Sequence, residues 1–474
     1  MSTRLSAAWA EREPRTAWVL LVFATTAGSV VGGMAIGSGH GRLVSAVMLP
    51  LAAVAAVVFA WLVFARFELF VLAILAIRAA LDAFGGLGGG LGAAGAVSVI
   101  FLCVGTIWLF AEPISRRVAV PRFVWPVAAF VGAGALSILV AKNQIGAIED
   151  VIRFATLVLI VLVLNQLLTT RRELKHLLTA VYVSLAIPAI VGAYQVATKT
   201  GFHESADFSR VRGTFDHPNP FAIYLTMLIV MGVALVLKVE RRSVKLALLG
   251  AISLCGIFLV LTYTRSAWIA TIAGLLVVAF FEGKRLLPLM GFAVVLVVML
   301  VPSVAMRFSD LSTETTQSGA AGNSLVWRFE YWQQALQLSE NPIVGAGLRT
   351  VQASTDVSKE PHNDFIRVYV ETGLIGLSAY LWFLFSLVRS ARRSIRSTRS
   401  ALEHSVAVGF AGCLAAFLLL SLVSNVISQL VILWYFLAFA VAAAAGPRLE
   451  RRTLALDQGS GGLVPFSLRT PVGR

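Results

Sequence analysis

Residues 361–388 read PHNDFIRVYVETGLIGLSAYLWFLFSLV: a polar turn, Pro361-His362-Asn363-Asp364, followed by an apolar run entered through Arg367, Glu371, Gly373 and Gly376. A helix needs about 20 apolar residues to cross hydrocarbon, and this run supplies them. Charges at the mouth of such a run are costly unless they face protein, water or an anion. The longest interruption between apolar segments, 304–364, lies directly before it. The fold therefore reads as a membrane bundle with one long polar loop that ends at this entry.

The same length criterion picks out 17–37, 43–65, 67–84, 92–111, 122–141, 150–169, 176–197, 219–237, 244–263, 266–281 and 285–303 before the loop. After 365–388 it picks out 403–424 and 427–446. The expected fold is all-α, a polytopic membrane helix bundle of about 12 to 14 spans, with one long extracytoplasmic loop that carries an amphipathic helix. The organisation predicted is an N-terminal bundle 1–303 with a first outer loop at 198–218, the long loop 304–364, C-terminal membrane helices 365–446 and a basic cytoplasmic tail 447–474. The run 17–37 follows Arg4, Arg12 and Arg15 and reads as a retained signal anchor.

Composition agrees with this class. The 474 residues are 58% hydrophobic and 13% charged, with a mean hydropathy of +0.84, far from soluble globular usage. The net charge of +15 is what cytoplasmic loops of a membrane protein carry, so no nucleic-acid partner is implied. Assigning the loops alternately places most basic residues inside, with both termini cytoplasmic. Cys103, Cys255 and Cys413 lie in apolar runs without metal-ligand spacing, which excludes a disulfide framework and a zinc site. The Gly-rich turn 85–92 lacks the Lys-Ser/Thr of a phosphate loop and reads as a hairpin. The arginines from Arg389 to Arg399 read as an inner-leaflet anchor.

Some arginines fall where the positive-inside rule makes them scarce. Arg210 and Arg212 stand in the first outer loop, before Gly213-Thr214-Phe215-Asp216-His217-Pro218-Asn219-Pro220. Asp216 or Asn219 can cap the helix that follows. Arg265 sits in a tight turn, Thr262-Tyr263-Thr264-Arg265-Ser266, where it either snorkels to headgroups or meets an anion. Arg328 belongs to the loop helix starting near Ser324, in which Leu325, Phe329, Trp332 and Leu336 make one apolar face. That helix reads as lying on the outer membrane surface, across the mouth of the bundle, or against the loop's own core. His362 is either a satisfied structural histidine or a base suited to neutral pH. Asn363 can cap the next helix or bond a hydroxylated ligand. Gly373 and Gly376 read as close-packing positions. Arg78 with Asp82, and Arg153 with Glu149 and Asp150, read as local ion pairs. Clustered guanidiniums suit phosphate, because each fork bonds two oxygens at once. Neither outer loop holds Asp-x-Asp, so no metal is expected.

In order and spacing, residues 150–445 resemble the bacterial O-antigen ligase and O-antigen polymerase superfamily of membrane glycosyltransferases. The matching pieces are Arg210 with Gly213-Thr214-Phe215 and Pro218-Asn219, then Thr262 with Arg265. They continue with Arg328, Trp332 and Ala335, Pro342 with Gly345 and Gly347, and His362-Asn363 with Glu371, Gly373 and Gly376. Thr264 precedes Arg265 where the family often has serine, and more spans precede the long loop than in twelve-span ligases. The resemblance implies inverting, metal-independent transfer without a cofactor, from an undecaprenyl-diphosphate-linked glycan to a hydroxyl of a glycolipid, glycan or protein acceptor. It places the chemistry on the extracytoplasmic face of the bacterial cytoplasmic membrane, among membrane lipid. By the same resemblance Arg210 and Arg265 hold the diphosphate and His362 activates the acceptor, with Arg212, Asn219, Arg328, Asn363 and Glu371 as further substrate contacts. A polymerase differs only in its acceptor. A transporter of lipid-linked sugars is the reading from another class, and it predicts charges at the membrane midplane and paired broken helices.

Overall fold

The structure, a computed structural model, describes residues 66–81, 93–111, 117–205, 208–285, 324–339, 341–351 and 361–460, with scattered positions in 61–65 and 287–299. The expected span 17–37, most of 43–65 and of 285–303, Asp82, the turn 85–92 and loop residues 304–323 lie outside the described residues, as does the tail beyond Ser460. The chain divides into two units, 1–75 and 76–474. Of the first, the described part is chiefly the start of helix α1 (Phe67–Arg78), where the Phe67 and Phe70 rings lie 5.8 Å apart. The remaining helices all belong to the second unit.

Helix follows helix as expected: α2 (Ala93–Ala111), α3 (Val124–Ser137), α4 (Gln144–Leu167), α5 (Arg171–Val183), α6 (Ala186–Thr198), α7 (Pro218–Val236), α8 (Arg242–Leu261) and α9 (Arg265–Glu282). After the long loop's α10 (Ser324–Gln337) come α11 (Asp364–Ser397), α12 (Ala401–Val423) and α13 (Leu430–Ser460). Among the described residues, seven helical segments are long and apolar enough to cross a membrane, α5 and α6 counting as one. Pro188, in the first turn of α6, lacks the N–H that would carry the α5 ladder across Ser184, so the pair bends there. The last helix runs on past residue 446, through Pro447, to Ser460.

The centre is aromatic. Phe417 stacks on Phe436 at 4.3 Å, and Phe101 lies 4.7 Å from Trp434. Around α7, α12 and α13, which are the most buried spans, the peripheral α8 leaves Leu246 and Ile257 exposed. This is the pattern of a bundle whose outer faces meet hydrocarbon. Helices α9 and α12 cross where a Cβ on Gly274 would meet the Gly412 carbonyl oxygen at 2.9 Å. That close crossing fixes the start of α9, and so Arg265, over the end of α12.

The fold is the all-α bundle expected, with one short hairpin in a loop. The loop 198–218 contains a two-stranded antiparallel hairpin, β1 (Phe202–Ser205) and β2 (Phe208–Arg210), with Phe202 opposite Arg210. Strands of three and four residues are too short to show alternation in a hydropathy pattern.

The bundle carries polar layers at both ends. At one end, Arg171 Nε donates to Glu403 Oε1 at 2.6 Å, and Lys238 Nζ lies 2.6 Å from Glu282 Oε2. The other end gathers the turns around Arg210, Thr264, His362 and Asn425.

Candidate active site

The hairpin delivers Arg210 to the α8–α9 turn. The backbone N–H of Val211 donates to the Leu261 carbonyl at 3.1 Å, which docks β2 against the end of α8. Arg210 is buried; its Nε donates to the Thr262 carbonyl at 2.8 Å, and its Nη2 donates to Asn219 Oδ1 and to Thr264 Oγ1, each at 3.1 Å. Thr264 Oγ1 in turn donates to Asn219 Oδ1 at 3.2 Å. Arg210 is therefore the pin that holds the turn leading into Arg265. With its side-chain oxygen engaged there, Asn219 does not cap α7, and Asp216 does not either. The cap is His217, whose Nδ1 accepts from the Asn219 N–H at 3.2 Å, with Pro218 as the first helical residue.

Arg212 lies more openly on the same turn, its Nη1 donating to the Asp216 carbonyl at 3.0 Å. Beneath it Gln195 clamps the backbone: Oε1 accepts from the N–H groups of Arg212 (3.1 Å) and Gly213 (3.0 Å), and Nε2 donates to the Gly213 carbonyl (2.8 Å). A lone glutamine in an apolar run gave no sequence signal for this. Its three bonds need the C-terminal end of α6 and the Gly213 turn brought face to face.

Arg265 is the first residue of α9, after Tyr263 in the left-handed region (φ 50°). Helix α9 starts without a side-chain cap, since Thr264 is bound to Arg210 and Asn219 instead. Its N-terminal dipole adds to the positive field of Arg265.

Arg328 comes to the same place from the long loop. The face of α10 that packs inward carries Tyr331 and Ala335, buried against Val351 and Val370 with Leu338 beside them. Arg328 continues this face by one turn. Phe329 and Leu336, on the apolar face read from the sequence, are exposed, and the buried stripe is the neighbouring one. The helical repeat admits either of two adjacent stripes, and Tyr331 with the small Ala335 fits α11 more closely. Burial, and then the like charge of Arg265, push the Arg328 guanidinium below its usual pKa.

The same helix reaches the histidine turn. Trp332 Nε1, one turn beyond Arg328, donates to the Pro361 carbonyl at 2.5 Å. Helix α10 thus bridges the turn of Arg265 and that of His362, with about 6 Å of helix axis between Arg328 and Trp332. His362 holds φ 50° and its Nδ1 lies 3.2 Å from Asn425 Nδ2, in the short connection between α12 and α13. Asn363 caps α11, its Oδ1 accepting from the N–H groups of Phe365 (3.0 Å) and Ile366 (3.1 Å). Buried Asp364 accepts from the Ile427 N–H at 3.2 Å, which ties the α12–α13 connection to the histidine turn. Glu371 pairs with Arg367 Nε at 3.1 Å, both buried, and Arg367 also reaches Ser428. Glu371 thus stands in an ion pair inside the bundle.

Gly373 is a break in α11 (φ 62°, ψ −163°) into which the loop around Gly345 docks. The N–H groups of Ala346 and Gly347 donate to the carbonyls of Val370 (2.8 Å) and Glu371 (3.0 Å). In the other direction Leu374 and Ile375 donate to the carbonyls of Pro342 (2.8 Å) and Ile343 (3.2 Å). The close approach predicted for Gly373 is thus between helix and loop backbone. The backbone groups freed by the break are satisfied by the chain itself, unlike the open broken helices that hold ions in transporters.

Downstream of that docking, Arg349 binds the start of α4. Its Nε donates to Asp150 Oδ2 at 2.8 Å, and Nη2 donates to Asp150 Oδ1 at 2.6 Å and Glu149 Oε2 at 3.2 Å. These bonds to Asp150 hold the Arg349 guanidinium further into its charged range. Arg153 makes the expected local pair with Asp150 at 3.4 Å, but the long-range partner was not predicted. Arg78 stands over the Trp434 ring, 5.8 Å from its centroid. Asp150→Asn should loosen 341–351 by about 1 kcal/mol, the scale of a half-exposed pair. Limited proteolysis within 341–351 should then be several-fold faster.

Residues 250–381 match the model of a family described as O-antigen ligase. The matched segment contains Arg265, Arg328, His362, Asn363 and Glu371; Arg210, Arg212 and Asn219 precede it. No curated protein matches the chain. A bundle of apolar helices whose polar turns meet at one end, with this segment supplying Arg265, Arg328 and His362, supports the resemblance of the chain to the O-antigen ligase and polymerase superfamily.

Proposed function

We propose that the protein transfers a glycan from undecaprenyl diphosphate to an acceptor hydroxyl, with inversion and without a metal, at the extracytoplasmic face of the bacterial cytoplasmic membrane. The observation that carries this reading is the approach of Arg328, on the loop helix α10, to the turn of Arg265, near enough that the charge of Arg265 bears on it. Two guanidiniums from separate elements, one of them half-buried, bring like charge to one place, which an anion lying between them would offset. A diphosphate fits that need, because each fork takes two oxygens.

In this reading Arg265 and Arg328 hold the donor diphosphate, and Arg210 acts through the turn it pins. His362 takes the proton of the acceptor hydroxyl through Nε2. The oxygen attacks the anomeric carbon as the bond from that carbon to the diphosphate breaks. The electron pair leaves on a phosphate oxygen facing the arginines, which stabilise the developing charge. For His362 Nε2 to be the basic nitrogen, Nδ1 must carry the proton and donate it. Asn425 accepts that proton if its amide presents Oδ1, the buried oxygen otherwise left without a partner. Asn425 is then the residue that sets the histidine's tautomer.

The test is transfer by purified protein from an undecaprenyl-diphosphate glycan, with EDTA present, for wild type and His362→Ala. Product from wild type alone, with carrier diphosphate released, supports the reading, and its size separates ligation of a finished chain from polymerisation. Full activity in a folded His362→Ala would rule out the base role, and loss of activity with EDTA would rule out metal independence. Donor binding without product from any acceptor would favour a transporter. Asn425→Ala is expected to lower kcat about 10- to 100-fold with KM little changed. Asn425→Asp should recover most of that rate and move the acidic limb of the pH profile upward, because a carboxylate beside the imidazole favours its charged form. Equal losses in both variants without a pH shift would leave Asn425 a merely structural residue.

A further inference from the structure

The bundle's other end holds a site that the transfer reaction does not use. Arg389, Arg392, Arg393 and Arg396 recur at i, i+3, i+4 and i+7 along the last turns of α11, all exposed, so they form one stripe. With Phe385, Val388 and Ser397 they line a groove of about 480 Å³. Several other basic groups at this end are engaged: Arg171 with Glu403, Lys238 with Glu282, and Arg448 with the Asn165 and Leu168 carbonyls. None of the four stripe arginines has an acidic partner among the described residues.

The same face continues toward the middle of the helix as Leu381, Trp382 and Phe385, exposed by 48%, 51% and 64%. A ligand covering the whole stripe must therefore be apolar at one end and multiply anionic at the other. Nucleic acid or an acidic peptide would leave the aromatic part uncovered. Helix α11 has 34 residues, about 50 Å of rise against about 30 Å of hydrocarbon, so its last turns reach the headgroup layer.

We propose that this stripe is a binding site for an anionic phospholipid bearing two phosphates. Each phosphate takes an adjacent arginine pair, and the acyl chains lie against Phe385, Trp382 and Leu381. Two turns of helix separate Arg389 from Arg396, about 10 Å, which gives room for two bidentate seats where a single phosphate would occupy one. The site lies in the cytoplasmic leaflet, where the distribution of basic residues puts this end.

The test uses full-length protein purified from neutral phosphatidylcholine vesicles containing either diphosphatidylglycerol or phosphatidylglycerol, matched for total phosphate. Retained lipid is counted by mass spectrometry. Wild type should retain the two-phosphate lipid roughly tenfold better. The fourfold variant Arg389→Lys, Arg392→Lys, Arg393→Lys, Arg396→Lys keeps the charge that orients the helix but lacks the forks, and should lose the preference. Equal retention of both lipids by wild type, or an undiminished preference in the lysine variant, would overturn the site and leave a diffuse charge anchor. Arg392→Gln, a milder change at mid-stripe, should lower two-phosphate retention about threefold with Tm unchanged, and no change there would also overturn it.

Discussion

Arg265→Ala should lower kcat for glycan transfer by about 10²–10³, the scale of removing one charged donor from a developing anion. Arg265→Lys should restore only part of it, since an ammonium is a point charge without the two-oxygen fork. Arg328 separates this account from a structural one. Its guanidinium is half-buried and feels the like charge of Arg265, so in the proposed reading it costs stability when no donor is bound. Arg328→Met, similar in reach and uncharged, is expected to raise Tm by roughly 2–4 °C while weakening donor binding and turnover. A fall in both stability and turnover would mean that Arg328 has a protein partner and does not await an anion. Arg210→Ala should lose turnover and stability together, because it releases three bonds that hold the turn. The double variant with Arg265→Ala should lose less than the sum of the two, as expected for residues acting through one turn.

Gly373→Ala should cost about 3–5 kcal/mol and abolish the docking of 341–351 on α11. A Cβ there would stand 2.2 Å from the Ile343 carbonyl oxygen and 2.6 Å from the Gly345 nitrogen, all backbone, so no side-chain rotation relieves the clash. The dihedrals, φ 62° and ψ −163°, are themselves open only to glycine. Gly345 meets it from the other side at φ 82°. The variant should be read by Tm in detergent and by protease cleavage within 341–351, with turnover falling because the same loop carries α10 to Arg265. An unchanged Tm would show that α11 runs through this position without the break. Gly376 differs in kind: the atoms a Cβ would meet belong to one side chain, that of Thr372, with its Cβ 2.4 Å away.

Much of the architecture was legible in the sequence because hydropathy and the distribution of arginine are local sums. Twenty apolar residues make a span wherever they occur, and the polar turns at Arg210, Arg265 and His362 fell at one end of the bundle by alternation alone. Capping at Asn363 was likewise readable, since a cap involves neighbours in the chain. The sequence did not show that Arg210 would be a pin, that Arg328 rather than the apolar stripe of its helix would face Arg265, or that His217 would cap α7. Nor did it show Gln195, Asn425 or the Arg349–Asp150 pair. Each of these depends on two groups distant in sequence arriving within about 3 Å, and periodicity holds no record of such a meeting. The residues that bring chemistry to the site were determined by the sequence. Which of the arginines hold turns in place, as Arg210 does, was decided by tertiary structure, because a guanidinium's role follows from the oxygens within its reach.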